Sequence, residues 1–444
     1  MQSNSREPYS IGIATGDITP PVGLPLAGFS APGAHSSTGV YHPLRTIATA
    51  IDDGDTATLI ISAEWLGFYN LTNRIRKSIT ETTGLPEAQI ILAATHTHCG
   101  PAFREDHILS SGETDPDYLD KAVATITGTA HRAWKYRCPA RLFFGTARRS
   151  FGINRRFPDL DNPGRIQRKM APNPDGFANH TVSVLAIESQ QTIRSILFSY
   201  ACHPTSRGGL LFGGDYVGFA YDEIQDTLFN VQPAFMQGCC GDIRPKPSTP
   251  DGKDFYPLTL AETQERGREL GAAVVDLIQN GKLDPITGPI AIQQNFLPLQ
   301  TEPVDQQAMQ EALLNPDASP GQKRWADYHK NRFDKGLPEE REVPLEIQTI
   351  RFGSSLAIPC LSGEMTIEHA LRLKHELQPY FSHVFPVAYT NDNIGYVPVK
   401  RQFTELGYEV VDSNQLFLRT GRYLPETEDQ IHATIHSMLD IPKN

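Results

Sequence analysis

Short apolar runs alternate with helical segments over the first hundred residues, and this alternation constrains the fold more than any other feature. Two apolar runs flank the turn DDGD at 52–55, which predicts a pair of strands. Residues 71–85 then predict a helix that ends at Gly84. The next run, AQIILAATHTH at 88–98, is continuously apolar up to Thr95, as is typical of a fully buried strand. A strand, a helix and a strand in this order indicate an α/β protein with mixed sheets flanked by helices.

The same alternation continues to the C-terminus. We predict helices at 117–135, from 215, at 260–281, 365–377 and 427–441, and strands at 140–150, 180–189, 194–204, 233–242, 290–299 and 383–392. Residues 345–364 predict a hairpin of two strands around Gly353-Ser354-Ser355. Polar or Pro/Gly-rich insertions are expected near 102–116, 157–178 and 303–343. Because no long linker separates these elements, we predict one catalytic domain over residues 1–444.

Charge and hydropathy exclude several classes of protein. The net charge of −11 would repel a phosphate backbone, so we expect no nucleic-acid partner. No run of 18 apolar residues predicts a transmembrane helix, and the polar N-terminus lacks the apolar core of a signal peptide. We therefore expect a cytoplasmic protein, or a periplasmic or secreted one if a leader once preceded residue 1. The six cysteines form no CxxC pair and are interpreted as free thiols.

His96 and His98 stand at the end of the predicted buried strand at 88–98. In an extended strand, residues i and i+2 point to the same side, so we expect both imidazoles to emerge together. Ligands of open α/β sheets bind beyond the carboxyl ends of the strands, where this pair lies. Two histidines packed at a strand end without further chemistry are the alternative interpretation.

Four later segments carry polar side chains beside small residues at predicted strand ends. His203 ends SYACHPTS, Asp242 lies in QGCCGDIRP, Glu364 follows Gly363 and opens a predicted helix, and Tyr396 lies in NIGYVPV. Two histidines and a glutamate are a common ligand set of catalytic zinc. A helix-dipole role for Glu364 and a packing role for Tyr396 remain open on the residues alone.

The stretches GIATGDITPPVGLPLAGF, ATHTHCGP, INRR, CHPTS, QGCCGDIRP, LSGEMT and NIGYVPV together resemble the N-terminal catalytic domain of neutral (non-lysosomal) ceramidases. The resemblance extends over about residues 10–425. It implies one catalytic zinc bound by His96, His203, Glu364 and Tyr396.

The resemblance also implies roles beside the metal. His98 is implied to lie next to the zinc, and we expect it to carry the proton in catalysis, with Asp242 as a second candidate or as a group that orients a ligand. Arg155 of INRR and Tyr408, twelve residues after Tyr396, are implied active-site residues that could stabilise an oxyanion.

Two departures from the family pattern bear on the substrate. Arg244 stands where the ceramidase GDxSP element carries a serine, and no C-terminal immunoglobulin-like domain is expected in this chain. An arginine at this place suits a carboxylate, phosphate or sulfate, and Arg207 is a second candidate for substrate binding. A salt-bridged surface arginine is the alternative for Arg244.

The sequence therefore predicts a zinc-dependent hydrolase that cleaves an amide bond, on a substrate other than ceramide. The expected partner is a small-molecule, sugar or lipid-like acylated substrate. A carbohydrate N- or O-deacetylase or esterase on the same zinc is one alternative. A non-catalytic binding protein that keeps the fold is an alternative of a different class.

Overall fold

The computed structural model describes residues 8–28, 36–102, 115–246 and 252–442. Residues 103–114 of the expected insertion at 102–116 therefore lie outside the described part. In chain order, the described strands are β1 (Tyr9–Asp17), β2 (Gly39–Val40), β3 (Arg45–Asp52), β4 (Ala57–Ala63), β5 (Ile90–Ala94), β6 (Cys138–Arg148), β7 (Gly152–Asn154), β8 (Thr181–Ser189), β9 (Thr192–Ser199), β10 (Leu211–Phe212), β11 (Gln232–Phe235), β12 (Ile243–Pro245), β13 (Asp284–Ile286), β14 (Ile290–Gln300), β15 (Glu342–Phe352), β16 (Leu356–Leu361), β17 (Glu364–Met365), β18 (His383–Val384) and β19 (Tyr396–Val397).

Ten α-helices lie between or after these strands within the described ranges. They are α1 (Leu71–Thr83), α2 (Pro116–Lys135), α3 (Asp215–Thr227), α4 (Leu260–Asn280), α5 (Gln306–Leu314), α6 (Pro320–Asp334), α7 (Ile367–Leu377), α8 (Gln402–Glu405), α9 (Asp412–Leu416) and α10 (Thr427–Met438). Gly84 caps α1 with a φ of 76°, as predicted, and Thr259 forms a capping box with Glu262 at the start of α4. None of these helices is long and apolar enough to cross a bilayer.

A large mixed sheet forms the centre of the fold. Its strand order is β11-β9-β8-β6-β1-β3-β4-β5, with β13 added against β6. The β4/β5 and β9/β11 pairs are parallel, whereas the pairs between β4 and β9 along this order are antiparallel. The predicted α/β class with mixed sheets is confirmed.

Both faces of the large sheet are buried, which explains the continuous apolar runs in the sequence. Along β3, Ile47 and Ile51 face one core, and Ala48 and Ala50 face the other. Helices α1 and α2 cover the face of the alanines. The second sheet, of order β14-β15-β16-β18, contributes to the core on the opposite face. Its β15/β16 hairpin confirms the turn predicted around Gly353.

Residues 383–392 depart from the predicted strand. Only His383–Val384 is a strand, paired with β16. Further along, the amides of Ala388, Tyr389 and Asn391 donate to the carbonyls of Gln237, Gly363 and Leu92, which lie in three different segments. The run is apolar because it is threaded through the core, and it pairs with no single neighbour over its length. The predicted insertion at 303–343 does contain helices, α5 and α6, and 157–178 contains none.

In the part of the chain that the structure describes, three two-stranded sheets, each of two or three residues per strand, carry the loops between the larger elements. They pair β2 with β10, β7 with β12, and β17 with β19. The last two matter most, because Arg244 lies on β12 and because Glu364 and Tyr396 lie on β17 and β19.

A buried arginine joins the two large sheets. Arg76 of α1 is 2% exposed and donates to the carbonyl of Ile90 at the start of β5. Its Nη2 also donates to the Gln348 amide oxygen at 2.9 Å and lies 2.8 Å from Glu346 Oε1, both on β15. A buried ion pair that also meets backbone acceptors costs most when one partner is removed alone.

We expect Arg76→Met to lower the free energy of unfolding by about 3–5 kcal/mol, because Glu346 stays buried without its cation. Arg74→Met is the matched control on the same helix, since the Arg74–Asp120 pair is exposed and worth about 0–1 kcal/mol. Urea and thermal unfolding of both variants measure the difference. Equal midpoints for the two variants would show that Arg76 does not tie the sheets together.

Candidate metal centre

His96 and His98 lie beyond strand β5, which ends at Ala94. His96 has a φ of 67°, in the left-handed region that non-glycine residues seldom adopt. We predicted that the two imidazoles lie together because they share one side of an extended strand, and this explanation is wrong. Two hydrogen bonds hold this turn. The amide of Thr95 donates to the carbonyl of Ala63, and the amide of His96 donates to the carbonyl of Trp65. The turn still brings the imidazoles together, because His98 Nε2 lies 3.3 Å from His96 Nε2.

His203 reaches the same point from another strand end. Strand β9 ends at Ser199, and the amide of His203 donates to Ile243 O at 3.1 Å. Its Nδ1 lies 2.6 Å from the carbonyl oxygen of Cys240. The segment after β11 thus orients this histidine through its backbone.

Glu364 and Tyr396 are cross-strand neighbours in the parallel pair of β17 and β19. The prediction that Glu364 opens a helix is wrong, because α7 begins three residues later, at Ile367. Tyr396 lies within β19 and does not follow a longer strand, contrary to the sequence expectation. The short parallel pair sets both side chains at the same level, facing the histidines.

Four donor atoms lie close together, each 3.4 Å from at least one of the others. Glu364 Oε2 lies 3.4 Å from His96 Nε2 and 3.4 Å from His203 Nε2. The Tyr396 hydroxyl lies 3.4 Å from His203 Nε2. Ligands bound at roughly 2.0–2.1 Å to a tetrahedral zinc lie about 3.3 Å from one another. The observed spacings match that edge length.

The hydrogen bonds behind the imidazoles decide which nitrogens face the centre. His96 Nδ1 lies 2.7 Å from Leu66 O, and His203 Nδ1 lies 2.6 Å from Cys240 O. Because a carbonyl oxygen can only accept a hydrogen bond, each Nδ1 carries the proton and each Nε2 carries a lone pair. Glu364 Oε2 is buried with no hydrogen-bond donor on it. Three lone-pair atoms therefore face one another, an arrangement that fits a bound cation such as zinc.

His98 offers a second possible set of ligands. One nitrogen each of His96, His98 and His203 lies within 4.8 Å of the other two. The two sets share His96 and His203 and differ in whether His98, or Glu364 with Tyr396, completes the site.

Burial and neighbouring charges favour the deprotonated forms of His98, His203 and Glu364. Burial lowers the pKa of His98 well below its usual value, and the neighbouring His96 lowers it further. Burial also lowers the pKa of His203, to about 4. Burial by itself would raise the pKa of Glu364, but His96 and His203 outweigh it and hold this pKa well below its usual range. At neutral pH His203 and Glu364 therefore need lose no proton to a metal, whereas burial raises the pKa of the Tyr396 hydroxyl well above its usual value.

Arg155 lies beside the centre between two tyrosine rings. Its guanidinium carbon is 5.3 Å from the Tyr396 ring centroid and 5.4 Å from that of Tyr408. Its Nε donates to Glu409 Oε1 at 2.8 Å, whereas its Nη2 is buried without a hydrogen-bond partner. Sequence reasoning missed Glu409, which also bonds Arg156. The only signal for it was its place directly after Tyr408 in GYE.

Asp242 is used by the scaffold. Its Oδ1 accepts from the amide of Ile367 at 2.8 Å, and its Oδ2 accepts from Asn154 and Gln402. Burial, with Glu409 nearby, raises its pKa to about 6. Among the described residues, no hydrogen bond or ion pair joins this carboxylate to the four donor atoms. It connects α7, β7 and α8 around the centre.

Arg244 and Arg207 each stack on an aromatic ring. The guanidinium carbon of Arg244 lies 4.7 Å from the Phe255 centroid, and that of Arg207 lies 5.2 Å from the Tyr41 centroid. Within the described ranges, neither guanidinium forms an ion pair, and the Nε of each is buried without a hydrogen-bond partner. The interpretation of Arg244 as a salt-bridged surface residue is therefore wrong.

The six cysteines are free, as predicted, and all but Cys138 are buried. Burial raises the pKa of Cys99, beside His98, to about 12. A thiol that stays protonated at neutral pH is no nucleophile.

Comparison with known proteins gives one family. The family model described as neutral/alkaline non-lysosomal ceramidase, N-terminal, matches residues 9–322. Neutral ceramidase B of Dictyostelium discoideum is 25% identical over 292 residues, which are 60% of this chain and 40% of that protein. The chain thus spans less than half the length of this curated relative.

Solved structures show the same fold. The crystal structure of neutral ceramidase from Pseudomonas aeruginosa matches with a TM-score of 0.74 at 17% identity, over 98% of this chain and 75% of that one. A structure described as ceramidase complexed with C2 matches with a TM-score of 0.73 at 16% identity, over 98% and 76%.

Substitution at the centre distinguishes the two ligand sets. We expect His96→Ala and Glu364→Ala each to lose the bound metal, because each removes an atom at the tetrahedral spacing. His98→Gln should keep the metal. Metal content of the purified proteins, by elemental analysis, gives the answer.

Loss of metal in His98→Gln, with full retention in Glu364→Ala, would instead establish the three-histidine set. Asp242→Asn is a useful control for the scaffold, because it perturbs a buried neighbouring carboxylate without touching the donor atoms.

Proposed function

Because the chain belongs to the neutral/alkaline non-lysosomal ceramidase family, we propose that it is a zinc-dependent hydrolase that cleaves an amide bond. The observation that carries this proposal is the convergence of His96, His203, Glu364 and Tyr396 at tetrahedral spacing. We further propose that the described elements form one catalytic domain, since both large sheets share a continuous core.

We propose that His98 transfers the proton during catalysis. A zinc ion, when bound, polarises a carbonyl and makes water a nucleophile near neutral pH. His98, 3.3 Å from His96, is neutral at that pH and can accept a proton from the attacking water. Its lowered pKa makes the resulting imidazolium a ready donor to the leaving amine. Asp242 serves this scheme as a positioning residue, because both of its oxygens are engaged elsewhere.

In this scheme, Arg155 and Tyr408 stabilise the oxyanion. Arg155 has an unused buried Nη2, and Glu409 fixes the guanidinium from the other side. Tyr408 packs its ring at 5.3 Å from the ring of Tyr396, next to the ligand hydroxyl. Preorganised donors in a site that excludes water stabilise developing negative charge strongly.

The substrate we propose is polar and is not ceramide. Arg244, near the centre, has no counterion among the described residues, and a long acyl chain laid on it would remove its water without replacing the hydrogen bonds. The relatives named above are ceramidases, and ceramide is therefore the first compound to compare.

Two alternatives use the same geometry. A carbohydrate N- or O-deacetylase or esterase would need the same metal and the same proton carrier. A non-catalytic binding protein would need neither His98 nor a free coordination position. Turnover of any acylated substrate excludes the binding protein.

A substrate panel tests the choice of bond and substrate. We expect short polar N-acyl amides to be hydrolysed with a kcat/KM at least 10-fold above those for short-chain ceramide, N-acetyl sugars and O-acetyl esters. His96→Ala serves as the matched inactive control for each compound. A preference for ceramide would overturn the substrate proposal, and a preference for N-acetyl sugars or O-acetyl esters would favour the deacetylase or esterase.

Tyr408→Phe tests the oxyanion role. Loss of one such donor lowers kcat on the order of 100-fold. We expect this loss with KM and metal content near those of the wild type, since Tyr408 is not among the proposed ligands. Tyr136→Phe, an exposed tyrosine, is the control. A kcat within twofold of the wild type would remove Tyr408 from the scheme.

A further inference from the structure

Arg244 is a cation that the protein desolvates without an ion pair to any carboxylate of the described residues. Its Nε is fully buried with no hydrogen-bond partner, and no carboxylate of the described residues lies within ion-pair distance. Burial lowers its pKa to about 10, and the charge of Arg155 contributes to this. The side chain nevertheless remains protonated at neutral pH. An unpaired charge in such surroundings is costly, so the fold keeps it at the expense of stability.

The backbone sets Arg244 beside the metal centre. Strand β12 pairs with β7 so that Arg244 lies opposite Ile153, and Arg155 follows directly after β7. The residue before Arg244, Ile243, accepts hydrogen bonds from the amide and Nδ1 of His203. Arg244 on β12 and Arg155 directly after β7 are therefore held next to a proposed metal ligand.

The two arginines differ in how their charge is balanced. Glu409 accepts from Arg155 and also from Arg156, so one buried carboxylate serves two cations. Among the described residues, Arg244 has only the ring of Phe255 against its face. Stacking covers the flat face of a guanidinium and leaves its N–H edge free for a planar oxyanion.

We propose that Arg244 binds an oxyanion of the substrate, a carboxylate, phosphate or sulfate, held beside the scissile bond. The inference rests on the proposed hydrolase function and names the substrate class for it. It accounts for the missing counterion, since the substrate itself would supply one. Arg207, stacked on Tyr41 with its own unpartnered Nε, is the second candidate for an anion contact.

Thermal unfolding with inorganic phosphate or acetate, at constant ionic strength in chloride, tests binding without any turnover. We expect each effective anion to raise the Tm of the metal-loaded wild type by about 2–3 °C at a concentration 100-fold above its Kd. Arg244→Gln should lose this rise while keeping its metal. In the absence of anion, Arg244→Gln should melt about 1 °C or more above the wild type, because an uncompensated charge is gone.

Arg168→Gln, at an exposed arginine paired with Asp412, is the matched control and should keep the anion response. A phosphate response that survives in Arg244→Gln would place the anion on the metal or elsewhere and overturn the proposal. Should Arg244→Gln fail to fold, Arg244→Lys keeps the charge without the planar fork, and a response at least threefold weaker is expected.

Turnover links the site to the substrate. For a pair of N-acyl amides that differ only in a terminal carboxylate or its carboxamide, we expect the wild type to prefer the carboxylate about 10- to 100-fold in kcat/KM. Arg244→Gln should abolish the preference. Equal turnover of both compounds by the wild type would refute the anion site alone, whereas no turnover with an intact phosphate response would refute the hydrolase proposal alone.

Discussion

Three lone pairs that face one another are the feature on which the rest of this structure depends. His96 Nε2 and His203 Nε2 each lie 3.4 Å from Glu364 Oε2, and the Nδ1 proton of each imidazole points outward to a backbone carbonyl. Such atoms repel one another unless a cation lies between them. The arrangement persists because the outward bonds hold each imidazole from behind, and these carbonyls belong to segments packed in the core.

Several local features around the centre that maintain this arrangement lower the stability of the protein. His96 occupies the left-handed region, which costs on the order of 1 kcal/mol or more for a non-glycine residue. Glu364 and Tyr396 depend on a parallel pair of only two residues a strand, which has no stability of its own. Arg244 adds an unpaired charge. The large sheets and their two cores supply the stability that these local features consume.

The sequence predicted the features that follow from local pattern. The buried strand at Ile90–Ala94, the cap at Gly84 and the hairpin around Gly353 depend on residue type and period, and these three are confirmed. The clustering of the histidines was also anticipated, although for a wrong reason. A left-handed His96 depends on tertiary bonds to Trp65 and could not be derived from period-2 alternation.

Contacts between distant segments were the least predictable part. Glu409 pairs with an arginine some 250 positions away, and no local signal in GYE marks a carboxylate as the partner of INRR. The run at 383–392 has the composition of a strand, yet its amides bond to three separate segments. Two-residue strands such as β17 are too short to show any period.

The free thiols give the metal centre a further meaning. With six unpaired cysteines, the chain has no covalent cross-link between distant segments. An ion held by His96, His203, Glu364 and Tyr396 would join four segments from across the sequence at one node. Unlike a disulfide, such an ion leaves the chain on unfolding, and it stabilises the protein because it binds the native state alone. The proposed catalytic ion would then also stabilise the fold, and its removal by a chelator would lower the stability of the protein as well as abolish its activity.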